Sequence, residues 1–132
     1  MKLSIYTDGG ARGNPGPAAI GIVVKDGKGN VIKEVGKYIG KTTNNEAEYR
    51  ALVNGLDSIL DKDVNEVDCF LDSLLVVKQL NGDFKVKNAN IKRFWNEIKR
   101  LERNFKKITY NHIERSKNSE ADALVNEVLD SI

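Results

Sequence analysis

The stretch Leu3-Ser4-Ile5-Tyr6-Thr7-Asp8-Gly9-Gly10 sets Leu3, Ile5 and Thr7 in alternation with Ser4, Tyr6 and Asp8. A period of two sends alternate side chains to opposite faces, so this is read as a strand, ending at Asp8 where two glycines follow. Beyond Ala11-Arg12-Gly13-Asn14-Pro15-Gly16-Pro17 lies a second β-rich stretch, Ala18 to Lys25. The turn Asp26-Gly27-Lys28-Gly29-Asn30 then leads into a third strand, from Val31 to about Tyr38. Three consecutive strands form an antiparallel meander.

Thr42-Thr43-Asn44-Asn45 offers capping side chains ahead of Glu46, and Ala51, Leu52, Leu56, Ile59 and Leu60 recur at helical spacing, predicting a helix to about Leu60. Val67 to Leu71 is read as a short strand buried on both faces and ending at Asp72. Ser73 to Leu80 is short and helical up to Asn81-Gly82. From about Asn90, Ile91, Phe94, Trp95, Ile98, Leu101 and Phe105 share one stripe, with lysines and arginines around the rest. Ile108 to Ile113 is expected to be the last strand, and Lys117 to about Ser131 the last helix. The order βββ-α-β-α-α-β-α predicts a mixed α/β domain in which crossover-connected parallel strands extend the meander.

At 132 residues, 40% hydrophobic and 30% charged, the chain is expected to be one globular domain, 1–132. No apolar run approaches the roughly 18 residues of a membrane span, and the first residues lack a signal-peptide pattern. A soluble, cytoplasmic protein without membrane contact is therefore expected, and we expect it to act as a monomer. One cysteine, Cys69, and one histidine, His112, exclude an internal disulfide and a Cys/His zinc site, so any metal must be held by oxygen. Between Lys78 and Lys107, ten Lys/Arg face only Asp83, Glu97 and Glu102; that region carries +7 in a chain of net +2, leaving −5 elsewhere. The asymmetry suits a polyanion held in one place and a cation in another, and equally suits solvated helix faces.

Asp8 and Asp72 each close a strand, and open α/β sheets gather ligands beyond the carboxyl ends of their strands. On neighbouring strands, about 5 Å apart, the two carboxylates would stand side by side, an arrangement normally relieved by a shared proton or cation. Asp72 alone is read equally well as the cap of the next helix. Glu48 falls on the apolar stripe of the first helix while Glu46 points away; it is either buried and compensated by a cation or wet at the rim. Asp122, at the edge of the last helix's stripe, is by itself an ordinary first-turn acid. The glycine-rich segment Gly9 to Gly16 lacks a phosphate-loop lysine and leads into a strand, so it is no nucleotide loop; it is a plain turn or a place of close ligand approach.

The segments Tyr6 to Pro17, Thr43 to Leu52, Asp72-Ser73 with Val76 to Gly82, and His112-Ile113 with Arg115, Asn118, Ala121 and Asp122 together resemble the type 1 ribonuclease H family. The likeness is to its short form, without an N-terminal hybrid-binding domain. It implies a ribonuclease H-like fold: a five-stranded mixed sheet, three strands antiparallel and two parallel, flanked by helices on both faces. It also implies hydrolysis of the RNA strand of an RNA/DNA hybrid, leaving 5′-phosphate and 3′-hydroxyl ends. Asp8, Glu48, Asp72 and Asp122 match the metal-binding carboxylates, for two Mg²⁺ ions about 4 Å apart or for Mn²⁺ in their place. Asp8, Glu48 and Asp72 would hold one ion, Asp8 and Asp122 the other.

His112 matches an auxiliary histidine that assists leaving-group protonation or product release. Asn14, Asn44 and Asn45, with Gly10, Arg12 and Gly13, match positions that read the RNA 2′-hydroxyl, and Thr43 one that holds a DNA phosphate. Asn118 belongs to the same set of substrate-site positions. Departures are Leu74 where the family often has a substrate-contacting glutamine, and Glu114 where short members often carry proline. The basic protrusion is also expected to be missing, leaving Phe84, Lys85, Lys87 and Asn88 as its substitutes on the DNA strand. These departures leave double-stranded RNA open as a further substrate.

Overall fold

The computed structural model describes residues Met1–Ile132. Its elements are β1 (Lys2–Ala11), β2 (Gly16–Lys25), β3 (Val31–Thr42), α1 (Asn44–Asp57), β4 (Glu66–Leu71), α2 (Leu74–Leu80), α3 (Ala89–Leu101), β5 (Lys107–His112) and α4 (Ser119–Asp130). The sheet order is β3-β2-β1-β4-β5. β1 pairs antiparallel with β2 and β2 with β3, while β1–β4 and β4–β5 are parallel. This is the expected mixed architecture, and no helix is long and apolar enough to cross a membrane.

Two strands run further than their sequence pattern predicts. β1 does not stop at Asp8: Gly9, Gly10 and Ala11 stay paired with Ile20, Ala19 and Ala18 of β2. What ends there is the parallel partnership with β4, whose last pair is Thr7 with Leu71. β3 continues past Tyr38 through a bulge, because Ala18 pairs with Gly40 and Ala19 with Tyr38, leaving Ile39 over. The extra turn carries β3 to Thr42, opposite Gly16, and delivers the chain into α1 beside the β1–β2 loop.

One face of the sheet, built from Leu3, Ile5, Ile20, Ile22, Val67, Cys69 and Leu71, packs beneath Tyr49, Leu52 and Leu56 of α1. Cys69 is fully buried, and burial pushes its thiol up, so it is a neutral packing residue. On the other face α4 covers β1, β2 and β3, with Ala19 against Val125 and Leu129. It lies so close that a Cβ on Gly21 would stand 2.2 Å from the Ala121 carbonyl oxygen. α4 packs mainly on β1, β2 and β3, and β4 is buried on one face only, contrary to the reading as a doubly buried strand. Val67, Cys69 and Leu71 are buried, whereas Glu66, Asp68 and Phe70 are half-exposed. Phe70 is partly shielded instead by stacking on Tyr6, ring centroids 4.8 Å apart.

The basic α3 is held at the far side. The Lys99 ammonium donates to the Leu80 carbonyl and the Glu102 carboxylate, which also accepts from the Tyr110 hydroxyl at 2.6 Å. Trp95 packs against the core, its indole N–H donating to the Gln79 carbonyl.

Candidate active site

Beyond the last parallel pair, Asp8 and Asp72 are the next residues of β1 and β4, so they lie side by side where the two strands part. Ser73 caps α2, accepting from the Val76 amide, which frees Asp72 from that duty. Glu48 arrives from α1, whose first turn is pressed onto β1; its Oε1 accepts the Gly9 amide at 3.3 Å. Carboxylate oxygens of Asp8, Glu48 and Asp72 all lie within 4.8 Å of one another. Asp122 comes from α4 on the opposite face. It stands outside this trio, close enough for its charge to help raise the Asp8 carboxyl, and lines the same cavity of about 300 Å³.

The cluster is electrostatically uncomfortable. Burial pushes Asp8 up to about 7, with the charge of Asp72 adding to it, and burial followed by the charges of Asp8 and Asp72 raises Glu48 well above the usual carboxylate range. None of the four acids forms a salt bridge. Oε2 of Glu48 is buried with no hydrogen-bond partner at all. A buried, unpaired carboxylate costs several kcal/mol, and a divalent cation held by oxygen ligands removes that penalty. The donor set therefore fits a hard cation: carboxylate oxygens from three separate elements, one of them unpartnered, with no lysine or arginine paired to any of them.

Asn118 corrects its expected place among substrate contacts. It is 1% exposed, and its amide donates to the Thr7 carbonyl at 2.9 Å and to Asp72 Oδ2 at 3.2 Å. A side chain so enclosed cannot reach a duplex; it ties the start of α4 to β1 and holds Asp72 in place.

The other expected contacts form a rim. Asn44 Oδ1 accepts the Ala11 amide and Asn14 Oδ1 accepts the Asn44 amide, so the β1–β2 loop is laced to the start of α1. Thr43 caps α1 and Asn88 caps α3, and both line a groove with Asn14 and Asn45. Gly10 and Arg12 line the acidic cavity, and Arg12 pairs with Asp130 at 2.5 Å. Gly13 turns the loop with a positive φ of 99°. Lys85 lies in a groove with Phe84, Lys92 and Trp95, Lys87 is exposed beside it, and Leu74 opens α2 as an exposed apolar side chain. His112, at the end of β5 and paired in register with Leu71, is exposed and does not line the acidic cavity. Arg115, named above only as part of the resembling segment, also lines the cavity, and so does Asn126, which the sequence reading does not single out. The available signal for Asn126 was its position one helical turn after Asp122.

Residues 6–128 match the family described as reverse transcriptase-like. The chain is 40% identical over 132 residues to a bifunctional protein of Mycobacterium tuberculosis, covering 99% of this chain and 36% of that one. It is 40% identical over 129 residues to ribonuclease HI of Halobacterium salinarum, covering 98% of this chain and 65% of that one. It thus spans about a third of the mycobacterial relative's length and just under two thirds of the archaeal one's. The crystal structure of the Halobacterium RNase H1 superposes with a TM-score of 0.96 at 39% identity, over 100% of both chains. LC11-RNase H1, isolated from compost and solved in complex with an RNA/DNA hybrid, gives 0.93 at 46% identity, over 98% and 97% of the two chains. The chain belongs to the reverse transcriptase-like family and, within it, to the type 1 ribonucleases H.

Proposed function

We propose that the protein is a metal-dependent endoribonuclease that hydrolyses the RNA strand of RNA/DNA hybrids at Asp8, Glu48, Asp72 and Asp122, leaving 5′-phosphate and 3′-hydroxyl ends. The observation that carries the reading is the convergence of three carboxylates within 4.8 Å, one with an unpartnered buried oxygen, in a cavity open to solvent. Asp8, Glu48 and Asp72 would hold one Mg²⁺, and Asp8 with Asp122 a second; Mn²⁺ has the same preference for oxygen ligands. Bound there, the ions supply Lewis acidity that makes water a better nucleophile at neutral pH and offsets charge on the phosphate.

The chain's own groups do the positioning. The Gly9 amide fixes one oxygen of Glu48 and leaves the other buried without a hydrogen-bond partner, and Asn118 fixes one oxygen of Asp72. Asn14 and Asn44 turn their carbonyl oxygens inward to backbone amides, so their NH₂ groups remain for an outside acceptor. A ribose 2′-hydroxyl, both donor and acceptor and present only on RNA, suits them. Asn45, with backbone from Gly10 to Gly13, completes that rim. Thr43 and Asn88, at two helix N-termini in one groove, are placed for a phosphate of the DNA strand. Lys85 and Lys87 extend the contact to the same strand. His112, one strand beyond Asp72, takes an auxiliary part in product release. The cavity is complete within one chain, which supports action as a monomer.

The test uses end-labelled RNA/DNA, RNA/RNA and DNA/DNA duplexes incubated with Mg²⁺, Mn²⁺ or EDTA and resolved on a denaturing gel. Internal cuts in the RNA of the hybrid, lost in EDTA and in Asp72→Asn, are expected. Cleavage that survives EDTA, or equal cutting of DNA/DNA, would reject the reading.

A further inference from the structure

Asp122 is the outlying member of the acidic set. Its helix approaches from the other face of the sheet, and it is not among the three carboxylates that crowd within 4.8 Å. It does have one partner: Asn126 Nδ2, one turn further along α4, donates to Asp122 Oδ2 at 3.2 Å, and both side chains line the acidic cavity. We infer that Asn126 is a positioning residue for Asp122, fixing one of its oxygens so that the other is presented to the cation shared with Asp8. The inference rests on the proposed metal-dependent cleavage.

The chemistry of the amide is what suits it to this place. A carboxylate in a first helical turn samples several rotamers, and repulsion from Asp8 drives it outward unless something holds it. A lysine or arginine at position 126 would hold it as well, yet its positive charge would compete with the cation for the same oxygens. An asparagine donates without adding charge, so it orders the carboxylate and leaves its negative charge for the metal. Asn118 does the same for Asp72 at the other flank of the cluster. The two outer acids are thus each braced by a neutral amide, while the inner pair, Asp8 and Glu48, is held by burial and backbone.

The test compares wild type, Asn126→Ala and Asn126→Gln, since glutamine at the same spacing can still reach an Asp one turn back. Residue 126 is exposed on a helix, so alanine leaves the fold intact, as melting in EDTA will verify. The Mg²⁺ concentration giving half-maximal cleavage is expected to rise about fivefold in Asn126→Ala. At saturating Mg²⁺ the turnover number and KM for hybrid should stay within about twofold of wild type. Calorimetric titration of the metal-free protein with Mg²⁺ or Mn²⁺ should show the same weakening without any substrate, and Asn126→Gln should recover most of it. An unchanged metal midpoint, equal loss in both variants, or a raised KM with an unchanged midpoint would overturn the inference, the last by making Asn126 a substrate contact. Wild type that cuts no hybrid in Mg²⁺ would instead reject the functional reading beneath it.

Discussion

Gly9 and Ala47 approach so closely that a Cβ on Gly9 would lie 2.2 Å from the Ala47 carbonyl carbon. This contact sets the distance between α1 and β1, and therefore brings Glu48, the next residue of α1, to Asp8, the preceding residue of β1. Gly9→Ala is expected to push the first turn of α1 away from the sheet. Backbone atoms cannot yield as a side chain would, so the destabilisation should be about 3 kcal/mol, at the upper end for overpacking. Urea unfolding measures it, and Mg²⁺-dependent cleavage should fall at least tenfold because Glu48 is displaced.

The raised Asp8 gives the metal-free protein a distinctive pH dependence. Its carboxyl titrates near the ordinary 3.8 when unfolded and at about 7 when folded, so the folded state binds the extra proton between those values. Stability is then fully present below about 4 and is lost as pH rises through 7. In EDTA the melting temperature should drop by roughly 5–10 °C between pH 5 and pH 8 beyond any general trend. Saturating Mg²⁺ at pH 8 should restore it. Asp8→Asn should flatten the EDTA profile and melt higher than wild type at pH 8; a lower melting point there would show that burial and the neighbouring charge do not penalise the carboxylate.

Asn118→Ala removes a buried donor shared by the Thr7 carbonyl and Asp72. A loss of about 1–3 kcal/mol is expected from the unsatisfied groups alone. Activity should fall by more than stability can account for, because Asp72 loses its anchor. Initial rates at a temperature where circular dichroism shows the variant fully folded separate the two effects.

Binding to hybrid should weaken linearly on a logarithmic salt axis as phosphate contacts are screened. Lys85→Ala and Lys87→Ala should each lower that slope by about one while leaving the turnover number near wild type. Fluorescence anisotropy across a salt series, in EDTA to prevent cleavage, reads the slope directly. An unchanged slope in both variants would place the DNA strand elsewhere.

How far the site was legible in the chain depended on which acids carried a local pattern. Asp8 stood out at the end of an alternating run and Asp72 at the end of a continuous apolar one, although Asp72 read equally well as a helix cap and β1 in fact runs on to Ala11. Glu48 was visible as an acid out of place on an apolar stripe. Asp122 carried no such mark, and only the resemblance of the surrounding motif assigned it. The strand limits were less legible for a tertiary reason. Gly9 and Gly10 have low strand propensity, yet pairing with β2 keeps them extended; the bulge at Ile39 similarly hides the true end of β3. The half-exposed face of β4 depends on where α4 stops, which no local window reports. Asn118 was assigned to the substrate because motif matching gives a residue's place without its depth. Asn126 was missed because a single amide one turn from an acid is common on any helix.

The alignment of β1 with β4 finishes at Thr7 and Leu71, and each strand then contributes an aspartate at its next position. Their separation is in consequence quantised. Sliding either strand by one residue would offer Leu71 or Ser73 to Asp8 in place of Asp72, and sliding by two would carry the aspartate roughly 7 Å away. Insertions or deletions within these strands are for that reason all-or-nothing events at this centre, and fine adjustment of its span is left to side-chain torsions alone.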